Sequence, residues 1–153
     1  MQISFNTTGV ERIRELLVRM DVNMQFLQDP LRLIANDVLA TEKRIFSTEG
    51  SFQGRPKWPG LSDSYLDWKD VMYPGQKILH LEGPLKTSLI TRGTGHIEKH
   101  TRDSLEIGTS DRKAIYHQFG TRKMPPRPPL TVNKQQRKRW IKIVVKHLLE
   151  ITD

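Results

Sequence analysis

The chain has 153 residues, no cysteine and a formal net charge of +8. That length suits one domain able to build its own core, and the missing cysteine excludes a disulfide scaffold, a thiolate metal site and a cysteine nucleophile. No apolar run approaches the roughly 18 residues of a membrane span, and Met1-Gln2-Ile3-Ser4-Phe5-Asn6 lacks the basic and apolar regions of an export signal. The expectation is a soluble product with no membrane partner, suited to a reducing cytoplasm. The charge is unevenly placed: residues 121–153 hold nine Lys/Arg against Glu150 and Asp153, whereas residues 1–120 hold sixteen against fifteen acids. A concentrated basic surface attracts nucleic acid or an acidic protein face.

Taken in order, Thr7 or Thr8 is placed to cap a first helix, along which Val10, Ile13, Leu17 and Met20 recur at helical spacing. Asp29-Pro30 reads as an N-cap followed by proline at the first helical position. The stripe Leu31, Ile34, Val38, Ile45 and Phe46, widened by Ala35 and Leu39, predicts a second helix over roughly 30–48. Residues 49–61 are a loop: Gly50, Gly54, Pro56, Pro59 and Gly60 bracket the aromatics Phe52 and Trp58. Ser62 caps a short helix with Tyr65, Leu66 and Trp68, and Tyr73-Pro74-Gly75 has turn chemistry. Ile78-Leu79-His80-Leu81 reads as extended. Gly83-Pro84 then starts a short helix that Gly93-Thr94-Gly95 ends.

Residues 96–108 predict a hairpin turning at Arg102-Asp103, with Leu105 and Ile107 on its half-buried return strand. A brief helix follows over Ala114–Phe119, and Gly120 is placed to end it with positive φ. Met124-Pro125-Pro126-Arg127-Pro128-Pro129-Leu130 cannot form helix or central strand, because four prolines fix φ and remove four donors. It reads as an extended arm over 121–130, a strut within the molecule or between subunits. Thr131 caps a final helix with an apolar face of Trp140, Ile141, Val144, Val145, Leu148 and Ile151 and a basic remainder. The fold class is α+β: a small antiparallel sheet packed with N- and C-terminal helices, with loop 49–61 and the arm projecting from one domain.

No catalytic, cofactor-binding or metal-binding residue is assigned. His96 and His100 share a strand face but lie about 13 Å apart at the usual rise, so they read as surface histidines. His117 has no nucleophile or carboxylate at a recognisable spacing, and reads as a structural residue bonding the backbone of the following loop. Trp58, Tyr65 and Trp68 fit either base stacking or the anchoring of a loop to the core, the latter preferred. On the last helix Arg137, Lys138, Arg139 and Lys142 fit a solvated face, a DNA-facing patch or one facing an acidic partner.

Four segments in order carry a resemblance. They are Trp58-Pro59-x-Leu61-Ser62 with Lys69; Ile78-Leu79-His80 with Gly83-x-Leu85-x-x-Ser88-Leu89; Ile107-Gly108-Thr109; and Ala114-Ile115-Tyr116-His117-Gln118-Phe119-Gly120 leading to Met124-Pro125 and Arg127-Pro128-x-Leu130. Together they resemble the bacteriophage virion morphogenesis family, the Mu G-like tail completion proteins, related in turn to head–tail joining and tail terminator proteins. Pro129 and Thr131 depart from it, standing where an aromatic and a glycine commonly follow Arg-Pro.

The resemblance implies a structural prophage or phage protein and no enzyme. It would sit in the virion, after assembly in host bacterial cytoplasm, as a homo-oligomeric ring (a hexamer by analogy) at the head-proximal end of the tail. Its partners would be itself, the tail tube and head–tail connector proteins, with non-specific DNA contact open. The expected interface is Trp58, Leu61, His117, Phe119, Gly120, Arg127, Pro128 and Leu130, with Ile115 at the arm's base. The alternative is a basic nucleic-acid-binding protein acting through Arg137, Lys138, Arg139 and Lys142.

Overall fold

A computed structural model describes residues 8–81 and 83–149. Among these, six helices surround one two-stranded sheet: α1 (Thr8–Met24), α2 (Gln28–Ser47), α3 (Asp63–Met72), α4 (Pro84–Ile90), β1 (His96–His100), β2 (Leu105–Thr109), α5 (Lys113–Phe119) and α6 (Lys134–Leu149). The fold is α+β, with the antiparallel hairpin in the register His96↔Thr109 through His100↔Leu105. Its turn is closed by Thr101, whose N–H donates to Ser104 O at 2.9 Å while its hydroxyl meets Asp103 and Ser104.

The core forms where α2 and α4 meet the long loop. Ile45 and Phe46 of α2, Leu85 and Leu89 of α4, and Trp58 make one buried cluster, flanked by Phe52, Ile78, Leu79, Ala114 and Leu130. Phe46 takes the Trp58 ring edge-on at 5.5 Å and stacks on His80 at 6.0 Å, both preferred aromatic geometries. Gly50 is required beside that indole: at φ +94°, a Cβ there would fall 2.7 Å from Trp58 Cδ1.

Several expectations are corrected. Helix α2 begins at Gln28 with Leu27 as N-cap, so Asp29 lies inside the first turn and pairs with Arg32 at 3.0 Å. Residues 78–81 are turned, with Leu79 at φ +61° and His80 N–H donating to Lys77 O; the turn lets Ile78 and Leu79 both reach the core. Period-2 alternation could place only one of them there. Helix α1 forms as read, yet Val10, Ile13 and Leu17 are 59–66% exposed; Thr7 lies outside the described residues. Ile141 and Val145 of α6 are likewise exposed, and Ile151 lies outside the described residues.

Helix α6 starts from Asn133, not Thr131. Asn133 Oδ1 accepts from Gln136 N–H at 2.8 Å, and Gln136 Oε1 accepts from Asn133 N–H at 3.2 Å. This reciprocal pair is a capping box, satisfying two N–H groups that the first turn leaves without helical partners.

Candidate interaction site

The segment that carries the resemblance is a clasp. Lys113 N–H donates to Asp111 Oδ1 at 2.9 Å, starting α5. Gly120 ends it at φ +74°, where a Cβ would lie 2.8 Å from Met124 O and 2.9 Å from Pro126 N. The chain reverses through a Thr121–Met124 bridge and returns past α5. There Arg127 N–H donates to His117 O at 2.7 Å, and the Gln118 amide brackets Leu130, donating to its O and accepting from its N–H.

Expected to project, the loop and the arm close on each other instead. Arg127, 4% exposed, donates through Nε to Pro59 O at 2.7 Å and through Nη2 to Gly60 O. In return Trp58 Nε1 donates to Pro128 O at 3.2 Å. The physical reason is accounting: an arm of prolines offers carbonyls without N–H groups, and the loop supplies the indole donor they lack. Pro129 is fully buried in this joint, so the departure from the family pattern at that position is accommodated inside the molecule.

The site residues therefore divide. Trp58, Arg127 and Pro128 are held inside the clasp, Gly120 and Gln118 shape it, and Leu61 and Leu130 are half-buried. Phe119 is 78% exposed and Ile115 61%. His117 is half-buried; its backbone carbonyl accepts from Arg127 N–H, but the imidazole does not make the bond to the loop that was expected of it, and its Nδ1 is buried with no partner. Burial first, then Arg127, pushes that imidazole below its ordinary value, so it is neutral at pH 7.

The loop also joins α6 to α2. Arg55 Nη2 donates to Thr131 O and to Gln136 Oε1. Arg139, expected on the basic face, instead grips Asp37 through two bonds at 3.0 and 3.1 Å, and Trp140 Nε1 donates to the same carboxylate at 2.7 Å. Arg137, Lys138 and Lys142 are exposed. Beneath this joint Glu42 is 1% exposed with Oε2 unpartnered, and burial, only partly offset by Arg55, pushes its carboxyl up to about 8.

On the hairpin, His96 is not a surface residue: its side chain is 5% exposed and Nδ1 lies 2.7 Å from Ser88 O. Glu98 lies between the two histidines and Arg92, which also bonds Asn36 of α2. Burial raises the Glu98 carboxyl, yet bonds from Arg92, His100 and His96 together hold it near 2. Among the described residues, no three His, Asp or Glu form a metal-holding group. Tyr65 and Trp68, read as anchors, are 41% and 44% exposed on α3, in contact with each other at 5.4 Å. The anchor of that helix is Lys69, 3% exposed, whose Nζ donates to Lys77 O at 2.6 Å.

Several of these residues escaped the sequence reading. Asn133-x-x-Gln136 before an apolar run was legible as a capping box. Glu42 and Arg55 gave no such signal, since charged side chains are rarely buried, and Lys69 stood out only through the resemblance, with no buried role attached to it.

The model of the phage virion morphogenesis family matches residues 7–149, so the chain belongs to that family. Membership bears out the resemblance and points to a structural or morphogenesis role in a phage particle. No curated protein and no solved structure matches the chain.

Proposed function

We propose that the protein completes the phage tail, or joins it to the head, by assembling as a ring of identical subunits at the head-proximal end of the tail. The observation that carries this is the uncovered apolar surface: Val10, Ile13, Leu16, Leu17 and Val18 on α1, with Ile141 and Val145 on α6, stay in contact with solvent in the isolated chain. Exposed apolar patches beyond a few hundred Å² mark protein-binding surfaces. Subunits meeting head to tail use two different faces and close by rotation. In this reading Phe119 and Ile115 touch a neighbouring subunit or virion protein, while Trp58, Leu61, His117, Gly120, Arg127, Pro128 and Leu130 fix where they stand.

Phage carrying a deletion of residues 121–130 tests this reading, with light scattering of the purified protein as the companion measurement. The expected outcome is headless tails or tailless heads, and loss of higher oligomers in the double variant Ile13→Glu, Leu17→Glu. Normal infectious particles from the deletion phage would end the proposal. A second reading, nucleic-acid binding through α6, is favoured by the exposure of Arg137, Lys138 and Lys142. It requires affinity for DNA to drop by orders of magnitude between about 50 and 200 mM salt.

A further inference from the structure

A cleft of about 520 Å³ opens between the start of α3, the turn at 79–81, the start of α4 and the base of the arm. Leu61, Leu79, Leu81, Leu85 and Met124 give it apolar walls. Lys69, Lys113, Lys123 and Arg127 give it positive charge, His80 and His117 add imidazoles to the wall, and Asp111 is the one acid among its described lining residues. Asp111 is itself engaged by Lys113 N–H.

Two of these cations are buried and make no ion pair with a described residue. Lys69 and Arg127 are 3% and 4% exposed; both donate to backbone carbonyls, and among the described residues neither forms an ion pair, Glu49 and Asp70 acting on Lys69 only from a distance. Of the acids that act on Lys69, Glu49 is shared with Lys57 at 2.9 Å and with Ile78 N–H. A buried cation bonded only to neutral carbonyls retains most of its desolvation cost, and an incoming anion relieves it. The two imidazoles record the same field. Burial lowers both, and neighbouring cations lower them further: Lys86, Lys69 and Lys77 at His80, opposed by Glu49, and Arg127 and Lys113 at His117, opposed by Asp111.

We infer that this cleft binds an acidic segment of another virion protein, its carboxylates facing Lys113, Lys123 and the buried cations and its apolar side chains on the leucines. A concave, mainly apolar site with a few convergent charges is the form of a specific pocket, whereas a nucleic-acid track is an open groove with exposed cations. With twenty-five Lys/Arg against seventeen Asp/Glu, this chain is a poor source of an acidic segment, and a different, acidic protein is the complementary one. The cleft goes beyond tail completion as a role and does not depend on ring formation.

Calorimetric titration of the full chain with the capped peptide Glu-Leu-Glu-Leu-Glu tests the inference, with Gln-Leu-Gln-Leu-Gln and a short oligothymidine as comparison ligands. The acidic peptide is expected to bind at least about tenfold more tightly than the glutamine one. The rim variant Lys113→Glu, Lys123→Glu should lose that binding about tenfold or more with unchanged melting temperature. The variant Lys138→Glu, Lys142→Glu on α6 should retain it. The inference fails if the peptide does not bind, if the α6 variant loses binding while the rim variant keeps it, or if oligothymidine competes for the cleft.

Discussion

The clasp and the outer helices are built on opposite terms. In the clasp, loop 49–61 and the arm exchange donors and acceptors so that Trp58, Arg127, Pro129 and Gln136 are buried among directed bonds, although Arg55 Nε and Nη1 and His117 Nδ1 lie buried there without partners. Along α1 and α3, by contrast, Ile13, Leu17, Tyr65, Trp68 and Val71 stay 41–79% exposed. Helix α1 meets α6 near Asn23, whose amide donates to His147 O and Leu148 O, and α3 hangs on Lys69. One region is completed by the chain itself; the other has apolar surface that the chain does not cover. Substitutions in the first should cost stability, and those in the second should cost association.

The largest effect is expected from Trp58→Ala, which empties the centre of the core: about 3–5 kcal/mol lost in urea unfolding. A loss below about 1 kcal/mol would mean that the clasp is not integral to the fold. Next comes pH. The Glu42 carboxyl is raised in the folded chain to about 8 from an ordinary 4.5, so the native state binds the extra proton between those values. Its contribution is greatest below about pH 4.5 and declines as pH rises toward 8, by a few kcal/mol in order of magnitude. Glu42→Gln should flatten that slope, and an unchanged pH profile would show that Glu42 is charged in place. Glu98 and Glu49, both lowered, act at the acid end: the stability they contribute above their ordinary range is lost as pH falls below it.

Gln136→Ala removes the capping box and the acceptor for Arg55, and about 1–2 kcal/mol of stability should go with it. The smallest effect on folding is expected from Leu17→Ser on α1, within about 0.5 kcal/mol. The same change should shift sedimentation toward smaller species. If it unfolds the chain instead, α1 has a buried role and the contrast between the two regions collapses.

What the sequence made legible follows from range. The α2 stripe, the hairpin with its Thr101–Ser104 turn, the Gly83-Pro84 start and the Gly120 stop all depend on neighbours a few residues away, and each stands where patterning and turn chemistry put it. The misplaced pieces depend on distant partners. Arg139 looked solvated because Asp37 lies 102 positions earlier, and the arm looked free because its hydrogen-bond partners lie on a loop 67–70 positions before it. The apolar residues of α1 looked like core for the converse reason: helical periodicity reports an apolar face without saying which molecule covers it.

Reciprocal bonding across so long a stretch of chain also sets an order of events during synthesis. Until Arg127 and Pro128 emerge from the ribosome, the carbonyls of Pro59 and Gly60 and the indole of Trp58 have nothing to hold, and such late, distant closures are slow to form. A prematurely terminated chain thus leaves its aromatic loop unlatched.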